Sequence, residues 1–561
     1  MVTKNYSHPI ERLKYLAEKK PNETWMHEKI NGSWVSYNCS EIYSQSRKIA
    51  NHLLSSGLVP GDKVAIIAKN SPQWMISDFA LMLAGLISVP IYSTASKETI
   101  SYVLEHSQSK AIFIGRLEQT NNIDQVMNES ENDLIVYAFP DFNAEKSFIK
   151  YNWEEMLDST LIDEKSLPDK NSTISIVYTS GSTGNPKGVI LSFNNFAASA
   201  SAFVELFEDR EKQRVLSYLP LAHITERTIV AYSSLYKLSD IYFNSNLESF
   251  LDDLHFSKPT SFFTVPRLWA KFQSQVLSQI DNETLNNLLD SPDGALVSAG
   301  IREKLGFSAC DLYGSGAAPI SSKMLDWWRK LGINISEGWG MTETSGGVCN
   351  NTPFDEKNVG TIGLPLSCAT MKLSNEGEIL VKGPAVFEGY YRNKNATLDA
   401  FDEEGWFRTG DKGEQSNNGS FRIIGRLKEE FKTAKGKYVA PVPIESHLLG
   451  LSYIEQVIVF GSGRAQPMAV IVLNEGYFDS MDDRLDKNEK RKFFENEFLK
   501  DLDSINNQLE THCQLDTILI SSKPFDINNG LLTPTLKLRR EAIEKEYSKY
   551  IYSEKAGIIW E

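Results

Sequence analysis

The chain has 561 residues, 41% of them hydrophobic and 11% aromatic, with a formal net charge of −15. That length exceeds one ordinary core, so two or more domains are expected; the acid excess argues against a nucleic-acid binder but leaves room for a basic patch around an anionic cofactor. Five cysteines (Cys39, Cys310, Cys349, Cys368, Cys513) without CxxC spacing fit a reducing compartment and no metal cluster.

The N-terminus, MVTKNYSHPIERLKYLAEKK, has no apolar stretch of signal-peptide type. The longest apolar run, 79–92, is interrupted by Gly85 and Pro90 and is too short to span a bilayer. A soluble cytoplasmic protein is expected, with loose membrane association left open.

In chain order, 41–56 carries helical spacing and stops at Gly57, and Pro60-Gly61-Asp62 turns into a buried strand from Lys63 to Ala68. Ser71-Pro72 reads as N-cap and first residue of a helix through Trp74, Phe79 and Leu86, followed by a strand at 87–90. Strand, helix, strand predicts a mainly parallel sheet. A helix near 97–106 and a strand at 111–114 repeat the pattern, whereas 116–172 reads as polar and irregular.

Next comes YTSGSTGNPKGV, Tyr178 to Val189, bracketed by the β-branched runs 174–177 and 189–191. Glycines, hydroxyls and one lysine in a turn between apolar strands offer N–H groups, hydroxyl donors and a cation to a polyanion. Composition alone would suggest a solvated linker, but linkers rarely interrupt a core. Nor is it a Walker A loop, because Lys187 precedes Gly188 and a strand rather than opening a helix. It reads as a phosphate-binding loop of another kind.

Beyond it, 194–205 reads as helix and 215–219 as strand, running into LPLAHITER at 219–227. A strand at 261–265 is closed by Pro266-Arg267-Leu268-Trp269; 270–306 reads as helical with a break at Pro292-Asp293-Gly294. GSGAAP (314–319), a helix with Trp327-Trp328, and EGWGMTET (337–344) follow. From Gly360 short strands at 371–373, 378–381 and 421–424 predict a β-rich subdomain, and strands at 455–460 and 468–473 alternate with helices in a final unit.

Several loops thus place small residues and hydroxyls directly after strands, where an open α/β sheet has its binding crevice. By residue type, Glu343 suits Mg²⁺, Trp339 suits stacking on a purine, and Asp411 in WFRTGD suits a ribose.

YTSGSTGNPKGV, GSGAAP, EGWGMTET, WFRTGD, GRLKEEFKTAKGKYVAP and LTPTLKLRR, in that order, resemble the signature set of the acyl-adenylate-forming (AMP-binding) superfamily. LPLAH with Glu226-Arg227, 259–269, and Leu532 to Lys537 resemble its long-chain fatty acyl-CoA synthetase branch. The resemblance runs from about residue 30 to about 550. It implies an α/β fold: a large N-terminal domain, 1–425, of mainly parallel sheets flanked by helices, with the β-rich subdomain at about 360–425. A mobile α+β domain, 426–561, would carry the catalytic lysine.

The roles it implies follow residue by residue. Thr179, Ser180, Gly181, Ser182, Thr183, Gly184 and Lys187 would hold the β- and γ-phosphates of ATP, with Thr183 also near the metal. Gly316, Ala317, Ala318, Trp339 and Gly340 would border the adenine. Thr342 would meet the α-phosphate, Glu343 would bind Mg²⁺, and Asp411 and Arg426 would hold the ribose. Lys428 would mark the hinge, Lys435 and Gly436 the coenzyme A side, and His223 and Trp269 the acyl pocket. Lys537 would bridge the carboxylate and the α-phosphate.

The chemistry calls for such groups, because a carboxylate must attack an anionic phosphate and cations offset the repulsion. The sequence departs from the family in having Trp339 where tyrosine is commoner, Ala434-Lys435-Gly436 where many members have Ser-Gly-Gly, and no glycine before Lys537.

Out of context several of these residues have ordinary structural readings. His223 would be a satisfied structural histidine, Glu343 a solvated acid and Lys537 part of a solvated basic face, and Trp327-Trp328 is read as core. The implied activity is ATP-dependent long-chain fatty acid–CoA ligation. A fatty acyl-AMP ligase that loads a carrier protein, and a fatty-acid-binding or uptake protein, are the alternatives. Fatty acid, ATP and coenzyme A are the expected partners; peripheral membrane association and a homodimer are left open.

Overall fold

The computed structural model describes the chain except residues 1–5, 119, 130–133, 143–145, 164–165, 180–185, 208, 211, 247, 452, 475–476, 479–480, 482–485, 528, 534–536 and 554–555. The helix Pro72–Ala84 shows how local sequence sets an element. Ser71 accepts from the Trp74 N–H at 3.2 Å, Pro72 supplies a first residue that needs no donor, and Gly85 ends the helix at φ 72°. Apolar on nearly every side, the helix is buried, as such a sequence must be.

It connects parallel strands Lys63–Ile67 and Ile87–Ile91 in a seven-stranded sheet. Ser109–Ile114 and Ile135–Ala138 extend that sheet in parallel on one side. On the other side lies Thr173–Thr179, followed by Lys187–Ser192 and Gly389–Tyr390 running antiparallel. A second sheet orders Ser261–Thr264, Leu312–Ser315, Ile335–Met341, Gly346–Asn350 and Leu364–Pro365, its first three strands parallel. Between the sheets pack the helix Phe193–Glu205, capped by Ser192 and Asn195, and a π-helical turn, Arg227–Tyr232.

A four-stranded antiparallel sheet of Thr370–Leu373, Glu378–Lys382, Phe407–Gln415 and Phe421–Arg426 forms the β-rich part. After Arg426 the chain enters a separate core around Ile454–Phe460, Met468–Leu473, Thr517–Ile520 and Gly557–Trp560, with helices Pro441–Leu449 and Lys487–Asn506. The fold is the α/β arrangement expected.

Three segments differ from the sequence reading. The stretch 116–172 holds helices Asn121–Glu129 and Trp153–Leu157 and the strand Ile135–Ala138, their signal diluted by the polar residues between them. The 270–306 helix is broken twice, the extra break being the cap Asp281, which accepts from Thr284 N. The strand Phe407–Gln415 was legible only as a motif, because Gly410, at φ 72°, and Gly413 interrupt its alternation.

Candidate active site

A cleft of about 2840 Å³ runs along the ends of these strands and is closed on its far side by the C-terminal unit. Its phosphate side begins at the hairpin in which Thr179 pairs with Lys187. Ser180, Gly181, Ser182, Thr183 and Gly184 lie outside the described residues. The hairpin's base is braced by the Tyr178 hydroxyl, 2.8 Å from His106 Nδ1. Gly188 is needed there, since a Cβ would come within 2.8 Å of Ile176 and 3.3 Å of Tyr391. Lys187 Nζ stands 5.0 Å from the centre of the Tyr390 ring. The Tyr390 hydroxyl in turn donates to Glu343 Oε1 at 2.8 Å, so one aromatic side chain links Lys187 to the Glu343 carboxylate. Thr342 and Glu343 open a 3₁₀ turn directly after the strand Ile335–Met341.

On the nucleoside side Gly316, Ala317 and Ala318 line the cleft, and Ala317 is held at φ 67°, a conformation an L residue takes only where its surroundings insist. Trp339 and Gly340 form the adjacent wall. The Trp339 indole N–H donates to Asp411 Oδ2 at 2.8 Å, and Arg426 Nε lies 2.8 Å from Asp411 Oδ1. Asp411 is 3% exposed; burial raises its pKa, against the opposing pull of Arg426 and the Trp339 N–H. Glu337 is pushed up to about 8 by burial while accepting from Gly360 N at 2.7 Å, so it stands mostly protonated at neutral pH.

The acid side centres on His223. Its Nδ1 accepts from Thr225 N at 3.3 Å, which leaves its proton on Nε2. Burial first, and then the charge of Lys537, push its pKa down to about 3, so the ring is neutral at physiological pH. The loop before it is clamped by Asn70, which donates to the Leu219 carbonyl at 2.6 Å and accepts from Leu221 N at 2.9 Å. Asn70 also donates to Ser217, whose hydroxyl donates to Glu226 at 2.7 Å.

Trp269 does not reach this pocket. It is fully buried among Phe262, Phe272, Phe307 and Trp328, donating to the Gly314 carbonyl at 3.2 Å. The cause is alternation: Phe262 and Phe263 point to opposite faces of their strand, and the helix bearing Trp269 packs on the Phe262 face. Phe203, Leu206, Ile229 and Phe263 take its place on the acid side of the cleft. Trp327 and Trp328 are core, as read.

From the C-terminal unit Lys537 enters the same cleft. Its pKa is lowered, by desolvation and then by Arg426, with Asp411 and Glu343 pulling the other way. The Lys537 side chain is exposed to solvent, and Arg426, Asp411 and Glu343 lie near enough to act on its charge. Arg540 anchors the segment, bonding Glu445 at 2.7 Å and the Val459 carbonyl at 2.7 Å and lying 3.6 Å from Glu429. Lys428 lines the cleft just after Arg426. Lys435 and Gly436 form an exposed turn outside the cleft wall, closed by Thr433 N to Lys437 O at 2.9 Å.

The sequence reading missed Tyr390, Asn70 and the aromatic acid-side wall. Each acts through a partner far away in the chain; only the GYY run at 389–391 gave Tyr390 any local signal.

A crevice at strand ends, a hydroxyl-rich hairpin, a ribose-type carboxylate and a lysine delivered from a second unit define a nucleotide-dependent acid-activating enzyme. The chain belongs to the AMP-binding enzyme family, whose model matches residues 13–391, with the AMP-binding enzyme C-terminal domain matching 430–554. It is 29% identical to long-chain-fatty-acid–CoA ligase 5 of Rattus norvegicus over 96% of this chain and 85% of that protein. It is 28% identical to long-chain-fatty-acid–CoA ligase FadD15 of Mycobacterium bovis, over 93% of this chain and 92% of that protein. The fold is similar to that of the carboxylic acid reductase A domain of Segniliparus rugosus in complex with AMP. That match has a TM-score of 0.79 at 20% identity and covers 97% of this chain and 93% of the other. It is also similar to ATP-bound MatB of Rhodopseudomonas palustris, with a TM-score of 0.76 at 22% identity over 98% of this chain and all of that one.

Proposed function

We propose that the protein is an ATP-dependent long-chain fatty acid–CoA ligase. A fatty carboxylate attacks the α-phosphorus of ATP and pyrophosphate leaves; the thiolate of coenzyme A then attacks the acyl carbonyl of the acyl-AMP and AMP leaves. The observation that carries the reading is the convergence of Lys537 with Glu343, Asp411, Arg426 and His223 on one cleft. The near full-length similarity to proteins named long-chain-fatty-acid–CoA ligases supports the choice of acid and acceptor.

In this reading Lys537 draws the carboxylate onto the α-phosphate and offsets the charge that builds there, while Thr342 donates to the same phosphate. Neutral His223 presents its Nε2–H to the acid without adding a competing cation. Lys187, Thr179 and the loop from Ser180 to Gly184 hold the leaving pyrophosphate. Asp411, fixed by Trp339 and Arg426, receives the ribose, and Trp339 covers the base beside Gly316, Ala317, Ala318 and Gly340. Holding the two reactants together accounts for ~7–11 kcal/mol of the barrier.

Glu343 suits Mg²⁺: it is a half-buried carboxylate with one oxygen fixed by Tyr390, a hard donor next to the loop that grips the phosphates. A Mg²⁺ ion held by Glu343 would offset phosphate charge. Thr183 would assist from the loop. The turn at Lys435 and Gly436 serves coenzyme A once the C-terminal unit, 426–561, pivots near Lys428 on the N-terminal unit, 1–425. Among the described residues no helix is long and apolar enough to cross a membrane, and a cytoplasmic enzyme, peripherally membrane-associated at most, is part of the proposal.

The test uses purified protein with ATP, Mg²⁺, coenzyme A and acids from short to very long, following AMP and thioester. AMP and acyl-CoA in equal amounts are expected. Acyl-AMP without thioester would point to a carrier-loading enzyme, and no AMP with any acid would leave only a binding role.

A further inference from the structure

The acid side of the cleft ends at a wall made by Phe203, Ile229 and Phe263. The same three side chains also line a second, small cavity of about 20 Å³ behind them, whose far side includes Val215, Leu216 and Phe262. The wall is therefore one side chain thick. The Phe203 and Phe263 rings stand at a steep angle, centres 5.4 Å apart, with Phe207 5.3 Å from Phe203 on the inner side. Dispersion alone joins them, so no hydrogen bond must break for the rings to part. Phe263 rests across Gly314 of the neighbouring strand, where a Cβ would come within 2.1 Å of the ring. Ile229 rides on the π-helical turn, a geometry frequent at functional sites.

Most of the polar groups around the inner cavity are engaged within the protein. The Tyr218 hydroxyl donates to the Phe263 carbonyl at 2.8 Å, Ser233 to Ile229 O at 2.5 Å and Ser239 to Lys237 O at 3.2 Å. Glu226 accepts from Ser217, and burial keeps it largely protonated. The inner surface is thus uncharged and suited to hydrocarbon. A space of about 20 Å³ holds roughly one water, so a chain enters only if the wall opens.

We propose that Phe203 and Phe263 form an aromatic gate, that a long acyl chain parts them, and that its methyl end then lies in the space beyond, against Val215 and Leu216. The gate rests on the acid-ligase reading and deepens it by assigning chain-length selection to this wall. Acids too short to reach the wall are indifferent to it. Longer ones gain about fourfold in kcat/KM for each methylene that reaches the inner space, the equivalent of ~0.8 kcal/mol.

The test is kcat/KM for AMP release with saturated acids from octanoate to stearate. Val215→Phe, which fills the inner space, is expected to lower the palmitate-to-octanoate ratio about tenfold or more with octanoate activity retained. Phe203→Leu, which thins the gate while keeping an apolar side chain, is expected to raise that ratio several-fold. Octanoate turnover in each variant reports an intact site, and Phe263→Leu repeats the test from the other ring if either variant folds poorly. Ratios within twofold of wild type in all the variants, or equal loss on both acids, would overturn the gate and leave the ligase reading standing. A wild-type protein that activates no acid would overturn both.

Discussion

At the scale of single residues, Tyr390 joins two groups that the sequence presents 156 positions apart, Lys187 and Glu343. Its hydroxyl donates to a carboxylate, a class of hydrogen bond worth about 1.5–3 kcal/mol. Tyr390→Phe keeps the ring under Lys187 and removes only that bond. The expected outcome is a loss of roughly tenfold or more in kcat/KM together with a higher Mg²⁺ concentration for half-maximal rate. A Mg²⁺ titration of both proteins checks it, and an unchanged midpoint would contradict a role for the Tyr390–Glu343 bond in the proposed Mg²⁺ site. The charge of Lys537 helps keep His223 neutral, so in the proposed reaction His223 adds no second cation beside Lys537. Trp339, Asp411, Arg426 and Glu343 stood out in the sequence because each lies in a short motif, and the structure brings all four to one cleft. Tyr390 and Asn70 were not, because their chemistry exists only across tertiary contacts. Trp269 was misplaced because a residue next to a strand can face either side of the sheet, and composition does not say which.

At the scale of elements, the π-helical turn Arg227–Tyr232 is fixed by a fully buried ion pair. Arg227, 0% exposed, bonds Asp78 through Nε at 3.1 Å and Nη2 at 2.5 Å, and Tyr232 donates to the same carboxylate at 3.2 Å. Its remaining N–H groups reach Ser175 and Ser88, so the pair stitches the helix Pro72–Ala84 to two strands of the large sheet. Replacing Asp78 with alanine leaves a buried charge unpaired, and a loss of about 3–5 kcal/mol is expected in a denaturant midpoint of the N-terminal unit. A change below 1 kcal/mol would mean that Arg227 finds another partner.

Glu226, immediately before that turn, gives a pH signature. Burial raises its pKa to about 8 from about 4.3 in an unfolded chain, so the folded state holds a proton that the unfolded state releases. Its contribution to stability is intact below about pH 4.3 and is lost as pH rises through 8, with a slope of up to about 1.4 kcal/mol per pH unit. Glu226→Gln removes this slope. Denaturation midpoints at pH 6 and pH 8 are therefore expected to differ less in the variant than in wild type, and parallel curves would contradict the assignment. Glu337 titrates in the same range and leaves a residual slope in both proteins.

Element order was largely legible, because caps such as Ser71-Pro72 and β-branched runs act locally. The helices and strand within 116–172 were not, because there the polar residues outweigh short buried faces.

At the scale of the molecule, the site is assembled from two units. Charged contacts join the C-terminal unit to the rest: Arg267 with Glu455 at 2.7 Å, across from the helix Pro266–Leu277 to the strand Ile454–Phe460, and Lys412 with Glu430 at 2.8 Å. Partly exposed ion pairs of this kind are individually weak, about 0–1 kcal/mol, and exchange readily. Such weak contacts fit the proposed pivot, in which the unit would present Lys537 for one step and the Lys435-Gly436 turn for another. The proposed chemistry therefore turns on Lys537. The direct measurement compares the two half-reactions in Lys537→Ala: pyrophosphate release from ATP and fatty acid, and acyl-CoA formation from supplied acyl-AMP. The first is expected to be abolished while the second largely survives; equal loss of both, or retention of the first, would rule out the proposed role of Lys537.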